Sequence, residues 1–198
     1  MLPEFQGFGK IPRLNREIVI TEKIDGTNAQ ILITEEGEVF AGSRTRWLTP
    51  ESDNYGFARW VQEHTEELKG LGVGRHFGEW WGSGINRRYG MFTGEKWFSL
   101  FNVAKWHSVW PDNPPQLPDE PSRLLRPSCC DVVPVLYRGP FSQVAVYRAL
   151  LQLTTTGSVV APGFMNPEGV VVFHKAAGAL FKVTLENDEQ AKGQRNVS

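Results

Sequence analysis

Glu22-Lys23-Ile24-Asp25-Gly26-Thr27-Asn28 joins two strand-like runs in this chain of 198 residues. Glu17 to Lys23, alternating and rich in β-branched residues, leads into it, and Ala29 to Thr34 leads out. Between them Asp25-Gly26 makes a tight turn, so Lys23 ends a strand with backbone amides facing the same space. A lysine amine in such a place acts as a nucleophile when burial or a neighbouring cation favours its uncharged form. The rival reading of Lys-x-Asp-Gly is a surface lysine before a hairpin turn. The four residues alone leave both open.

Outward from this turn the period of two continues. Glu35-Glu36-Gly37-Glu38 turns the chain into a strand at Val39 to Gly42, completing a hairpin. Asn54 to Leu68 changes to helical spacing through Phe57, Trp60, Val61, His64 and Leu68, with Asp53 or Asn54 as cap. Strands return at Arg75 to Trp81 and at Lys96 to Val103. From His107 to Pro127 the sequence is proline-rich and aperiodic, so residues 107–130 read as a loop or insertion. A short strand is predicted at Asp131 to Tyr137. A helix follows over Phe141 to Leu153, with Val144, Tyr147 and Leu151 on one face. Gly169 to His174 and Ala179 to Leu185 are the closing strands, and residues 186–198 form a polar tail. Strands outnumber helices and are joined by hairpins. The expectation is one α+β domain of largely antiparallel sheets over residues 1–185.

Composition narrows the function classes. Hydrophobic residues make up 40% and charged residues 22%, as in an ordinary globular domain. Lys plus Arg (21) nearly balance Asp plus Glu (22), so a polyanionic partner has to be met by a local basic patch. The two cysteines, Cys129 and Cys130, are adjacent and make no disulfide framework, which points to a reducing compartment. No apolar run reaches membrane-spanning length and no signal layout opens the chain, so a soluble cytoplasmic protein without a membrane partner is expected. The histidines, His64, His76, His107 and His174, are scattered without zinc-finger spacing. No Gly-x-x-x-x-Gly-Lys-Ser/Thr loop is present, which excludes a P-loop nucleoside triphosphatase.

The Lys-x-Asp-Gly turn has company. Gly42-Ser43-Arg44-Thr45-Arg46, Phe77-Gly78-Glu79-Trp80-Trp81-Gly82, Phe98-Ser99-Leu100-Phe101-Asn102-Val103, Asn166-Pro167-Glu168-Gly169-Val170-Val171 and Leu180-Phe181-Lys182-Val183 follow it in order. Together these segments resemble the successive signatures of the covalent nucleotidyltransferases: DNA ligases, RNA ligases and mRNA capping enzymes. The resemblance is closest to the RNA ligases, in particular the nick-sealing RNA ligase 2 family of phages and kinetoplastids. It runs from about Glu17 to Leu185.

The resemblance implies an ATP-grasp-like nucleotidyltransferase domain, its antiparallel β-sheets and flanking helices enclosing the nucleotide. It implies an ATP-dependent RNA ligase that joins 3′-OH and 5′-phosphate ends through a lysyl-AMP on Lys23, with Mg²⁺ or Mn²⁺. In that family pattern Glu22 reads the adenine edge, Asn28 binds phosphate or the incoming end, and Arg44 holds a phosphate or a terminal ribose. Glu79 holds the nucleotide ribose and Phe101 stacks on the base, with Phe98 as the alternative ring. Glu168 serves the metal, and Lys182 the α-phosphate. For Glu79 the residues give independent support, because a carboxylate between Phe77 and Trp80 on an apolar strand needs a polar partner. Glu22 also reads as a solvated strand-end carboxylate, Asn28 as a turn residue and Arg44 as a solvated hairpin arginine.

Two departures stand out. The second lysine of the last signature is replaced by Thr184, or by Leu180 if Lys182 is itself the second. The aromatic strand ends Phe101-Asn102 where the family has Phe-Asp. With only a polar tail after Lys182, no C-terminal OB or helical domain is expected. The grip on nucleic acid is then assigned to Arg87 and Arg88 beside Tyr89, or to a partner protein replacing that domain. RNA is the expected polynucleotide and DNA the alternative. The other open readings are a GTP-dependent guanylyltransferase and a nucleic-acid-binding module without turnover.

Overall fold

The computed structural model describes residues 2–107, 124–186 and 188. The central part of the proline-rich segment (108–123) and most of the polar tail lie outside the described residues.

The strand after the first turn starts at once, and two sheets follow. The four-stranded sheet has the order β10-β9-β1-β8, from β1 (Glu17–Lys23), β8 (Val135–Pro140), β9 (Gly169–His174) and β10 (Ala179–Thr184), all antiparallel. The six-stranded sheet has the order β4-β3-β2-β5-β6-β7. Its strands are β2 (Thr27–Ile33), β3 (Val39–Ser43), β4 (Trp47–Leu48), β5 (Gly74–Gly82), β6 (Lys96–Leu100) and β7 (Cys130–Val132). Here the expectation of antiparallel pairing meets one exception, since β6 and β7 run parallel. The fold is α+β with mostly antiparallel sheets, as the hairpin spacing predicts.

Ile18, Val19 and Ile20 are all buried because β1 is an inner strand covered on both sides. Ile18 and Ile20 enter a core with Ala145, Ala149 and Leu153 of helix α3 (Gln143–Thr156). Val19 joins the larger core, which includes Ile31, Phe57, Trp80 and Phe98. Helix α1 (Phe57–Glu63) packs on the six-stranded sheet through Phe57 and Trp60, whose rings meet Trp80 and Phe98. Asp53 is the working cap: its carboxylate accepts the Ala58 N–H at 2.8 Å and the Arg59 N–H at 3.2 Å. The predicted helix is interrupted at His64, beyond which α2 (Thr65–Leu68) forms a single further turn.

Two other expectations are corrected. The strand expected at Asp131 to Tyr137 is two strands in different sheets, divided at Val133-Pro134. Proline has no N–H to donate; its carbonyl instead accepts the Glu22 N–H at 3.0 Å as the chain crosses between the sheets. Val144, Tyr147 and Leu151 do share a face of α3, but it is the exposed one. The helix seats Ala145, Ala149 and Leu153 on the sheet, where small residues allow close approach.

Candidate active site

The sheets hold the signature residues on facing surfaces. Along β1, Val19, Thr21 and Lys23 alternate with Ile18, Ile20 and Glu22. Lys23 thus enters the cleft, and its Nζ lies 2.6 Å from Glu168 Oε2. Glu168 immediately precedes Gly169, which pairs with Lys23 on one side and Thr184 on the other. A side chain at Gly169 (φ 148°) would strike the Val183 carbonyl and the Thr184 backbone, so the close approach of β10 requires glycine there. Lys182 and Thr184 share a face of β10, opposite Val183, which packs in the α3 core. The position in line with Lys23 is therefore that of Thr184, and Lys182 stands one pair along, in register with Val171. Lys182 is exposed, with no acceptor for its ammonium among the described residues.

The six-stranded sheet supplies Glu79, only 8% exposed. Its Oε1 accepts the Gly26 N–H at 3.0 Å and its Oε2 accepts Asn28 Nδ2 at 3.2 Å. Burial pushes its carboxyl up to about 7, with Lys23 and the Gly26 N–H opposing the rise and Glu168 and Asp25 adding to it. Gly26 is confined too: a Cβ there would fall on the Trp80 carbonyl and Trp81 Cβ. The glycine of Lys-x-Asp-Gly is thus demanded by β5 pressing against the turn.

The Ile85–Gly90 loop supports the turn from below. Tyr89, buried, accepts the Asp25 N–H on its phenol oxygen at 2.8 Å, and Asn86 Nδ2 donates to Asp25 Oδ1 at 3.0 Å. Arg87 donates from Nε to Asp25 Oδ2 at 3.2 Å, from Nη1 to the Asn166 carbonyl at 3.0 Å, and from Nη2 to Glu186 at 3.3 Å. It clasps the Lys-x-Asp-Gly turn to the segment leading into Glu168. The guanidinium of Arg87, expected at a nucleic-acid contact, is thus occupied within the fold. Arg88 projects to solvent. Asn86, Arg88 and Tyr89 all adopt positive φ (40°, 61° and 50°), a strained path held by these bonds.

Glu22 is neither solvated nor in the cleft. Being next to Lys23 on a strand, it points to the opposite face. There it accepts Ser158 Oγ at 2.6 Å, Val159 N–H at 2.8 Å and Val160 N–H at 3.1 Å. Burial raises its carboxyl above the ordinary range, against those three bonds. Of the two arginines in the β3–β4 loop, Arg46 is structural, binding the Ser52 carbonyl at 2.8 Å and the Asp53 carbonyl at 3.2 Å. Arg44 is exposed, with no acceptor among the described residues. Phe98 is a core ring on the α1 face, so the alternative of Phe98 as stacking ring fails; Phe101 is 41% exposed. Asn102 Oδ1 accepts the Ala104 and Lys105 N–H groups at 3.2 and 3.0 Å, so the residue replacing the family's aspartate closes a local turn.

Away from this cleft, the fold unites donors that sequence spacing leaves apart: ligand atoms of His64, Glu67 and Cys129 lie within 4.8 Å of one another. Among the described residues no helix is long and apolar enough to cross a membrane.

Two sheets closing on a lysine at a Lys-x-Asp-Gly turn, with carboxylates from both sides, make up a nucleotidyltransferase fold of the ligase type. A family model of RNA ligases matches residues 16–184, and the chain belongs to the RNA ligase family. No curated protein matches it in sequence. Its fold is similar to that of Naegleria gruberi RNA ligase. A variant of that enzyme with ATP and Mn matches at 18% identity and TM-score 0.57, over 86% of this chain and 50% of the other. A variant with AMP and Mn matches at 17% and 0.56, with the same coverage. The chain spans about half the length of these structural relatives.

Proposed function

We propose that residues 1–185 form the nucleotidyltransferase domain of a cytoplasmic ATP-dependent RNA ligase, with Lys23 as its nucleophile. The observation that carries this reading is the contact of Lys23 Nζ with Glu168 at 2.6 Å, in a cleft lined across by Glu79. Lys23 Nζ, once free of Glu168 and of a proton, attacks the α-phosphorus of ATP. The P–N bond forms, the bond to the β-phosphate oxygen breaks, and pyrophosphate leaves. A 5′-phosphate oxygen then takes the AMP, returning Lys23 to the amine, and a 3′-hydroxyl displaces AMP to make the phosphodiester.

Each side chain has a task in that sequence. Glu79, already receiving Gly26 and Asn28, accepts from the ribose hydroxyls. Phe101 stacks on the adenine, while Lys182 and Arg44 neutralise phosphate charge. Glu22 contributes indirectly, by pinning the 158–161 turn under β1. The Glu168 carboxylate, a hard oxygen donor at the reacting centre, fits Mg²⁺ or Mn²⁺; when bound, such an ion neutralises the triphosphate. The Naegleria structures with ATP or AMP and Mn support this assignment.

The test is incubation with Mg²⁺ and α-phosphate-labelled ATP, with GTP and NAD⁺ in parallel, for wild type and Lys23→Ala. An acid-labile AMP label on the wild type alone is expected. Absence of label from every nucleotide, in protein shown by mass to carry no AMP beforehand, refutes the reading. Nicked duplexes and single-stranded ends, each of RNA and of DNA, then identify the polynucleotide.

A further inference from the structure

The sheet face that carries Glu79 continues beyond the cleft. Along β5 the same face runs from Glu79 to Phe77 and Arg75. Across the strands, the Phe101 N–H donates to the Phe77 carbonyl at 2.9 Å on one side. On the other side Phe77 pairs with Gln30, Gln30 with Gly42, and Gly42 with Trp47. Phe40 completes the row, its ring centroid 6.1 Å from that of Trp47. Phe77 is 53% exposed, Trp47 48% and Phe40 42%. The opposite face of these strands is packed core, with Ile31, Trp80 and Phe98 against α1. The large rings on the solvent face, set about Gln30 and Gly42, are therefore not needed to hold the sheet.

The row is built, and it carries positive charge. Trp47 lies over Gly42, where an added Cβ would meet its ring at 3.1 Å. Arg75 Cζ stands 5.2 Å from the Trp47 centroid, steadied by the bond from its Nη1 to Gln30 Oε1 at 2.9 Å. Arg44 extends from the adjoining loop. Aromatic rings interleaved with guanidinium groups suit single-stranded nucleic acid, whose bases stack on rings while its phosphates meet cations. The strip runs from Phe101, just past β6, across β5, β2 and β3 to Trp47 on β4, roughly 19 Å at the usual strand spacing. That is room for a few nucleotides.

We propose that this strip, Phe77, Trp47 and Phe40 with Arg75 and Arg44, binds the unpaired RNA segment leading to the end being joined. The proposal rests on the ligase reading of the cleft. It deepens that reading by giving the substrate a required form: bases free to stack, which a duplex keeps inside its own stack. The cations among the rings, and the continuity with the cleft, favour RNA over an apolar protein partner.

The test uses the full chain and fluorescence anisotropy of a labelled single-stranded RNA of about ten nucleotides, a length that covers the strip, against a blunt duplex of the same sequence. Trp47→Ala is expected to raise Kd for the single strand roughly 5- to 150-fold, and Trp47→Phe to restore most of the affinity. Arg44→Gln should lower the slope of log K against log salt by about 0.7. Labelling of Trp47→Ala by ATP should stay within about twofold of wild type, because the ring is remote from the nucleophile. Phe40→Ala, at the outer end of the row, repeats the test should Trp47→Ala not fold. A single-strand Kd unchanged in both variants, or equal affinity for duplex and single strand, overturns the strip while leaving the ligase reading intact. Failure of the wild type to label with ATP overturns the ligase reading instead.

Discussion

Glu79→Gln isolates the energetic burden of holding a carboxylate at the back of the cleft. The Glu79 carboxyl titrates near 7 in the fold against an ordinary value of 4.5, chiefly because it is buried. A carboxyl raised in this way is harmless below the unfolded value, where both states are protonated. As pH climbs from 4.5 to about 7 the unfolded chain ionises first, and the fold loses stability throughout that interval. At 1.36 kcal/mol per pH unit, the interval amounts to about 3 kcal/mol. Glutamine keeps an oxygen for the Gly26 N–H, and Asn28 can turn its own amide to face the new one. Urea unfolding across pH 4.5 to 8.5 should show variant and wild type equally stable at the acid end. The variant should then gain progressively, reaching about 3 kcal/mol above pH 7.5, or roughly 6–12 °C in Tm. On the proposed ribose contact of Glu79, the gain should be accompanied by weaker labelling by ATP. A stability difference that is flat in pH refutes the burial argument.

Other substitutions probe the supports of the Lys23 turn. Gly26→Ala drives a methyl into the Trp80 carbonyl and should destabilise by about 1–3 kcal/mol, as read by urea unfolding. A shift of less than half a kilocalorie would show that the turn and β5 are not in contact as described. Arg87→Gln opens the clasp between Asp25 and Asn166, so the rate of lysine labelling should fall by about tenfold or more. The salt slope of RNA binding should be unchanged; a decrease would restore Arg87 to the nucleic-acid surface. Glu22→Ala strands the Val159 and Val160 N–H groups in a buried turn, and the loss should be on the order of 3 kcal/mol by the same unfolding assay.

The local chemistry was largely legible in the linear chain. A two-residue Asp-Gly turn between alternating runs needs no distant partner to be recognised, and β1, β2, β9 and β10 lie close to where periodicity puts them. Glu79 was legible for a similar reason: a carboxylate set among aromatic residues on a strand announces an unmet polar demand. Other readings failed where one local pattern admits several tertiary answers. Helix α3 has apolar residues nearly all round, so its spacing did not say whether Ala145 and Ala149 or Val144 and Tyr147 would meet the sheet. Arg87 looked like a surface cation because its partners lie 62, 79 and 99 residues away.

Sequence by itself thus determined most of the strands, the turn and the candidate nucleophile, because each depends on residues within a few positions of one another. Only the tertiary structure decided which carboxylate faces Lys23, which arginines are taken up in bonds within the fold, and which rings form the exposed row beside the cleft. Those depend on how two sheets close on each other. Adjacent residues of a strand, such as Glu22 and Lys23, go to opposite faces, and the environment of each face is supplied by distant chain.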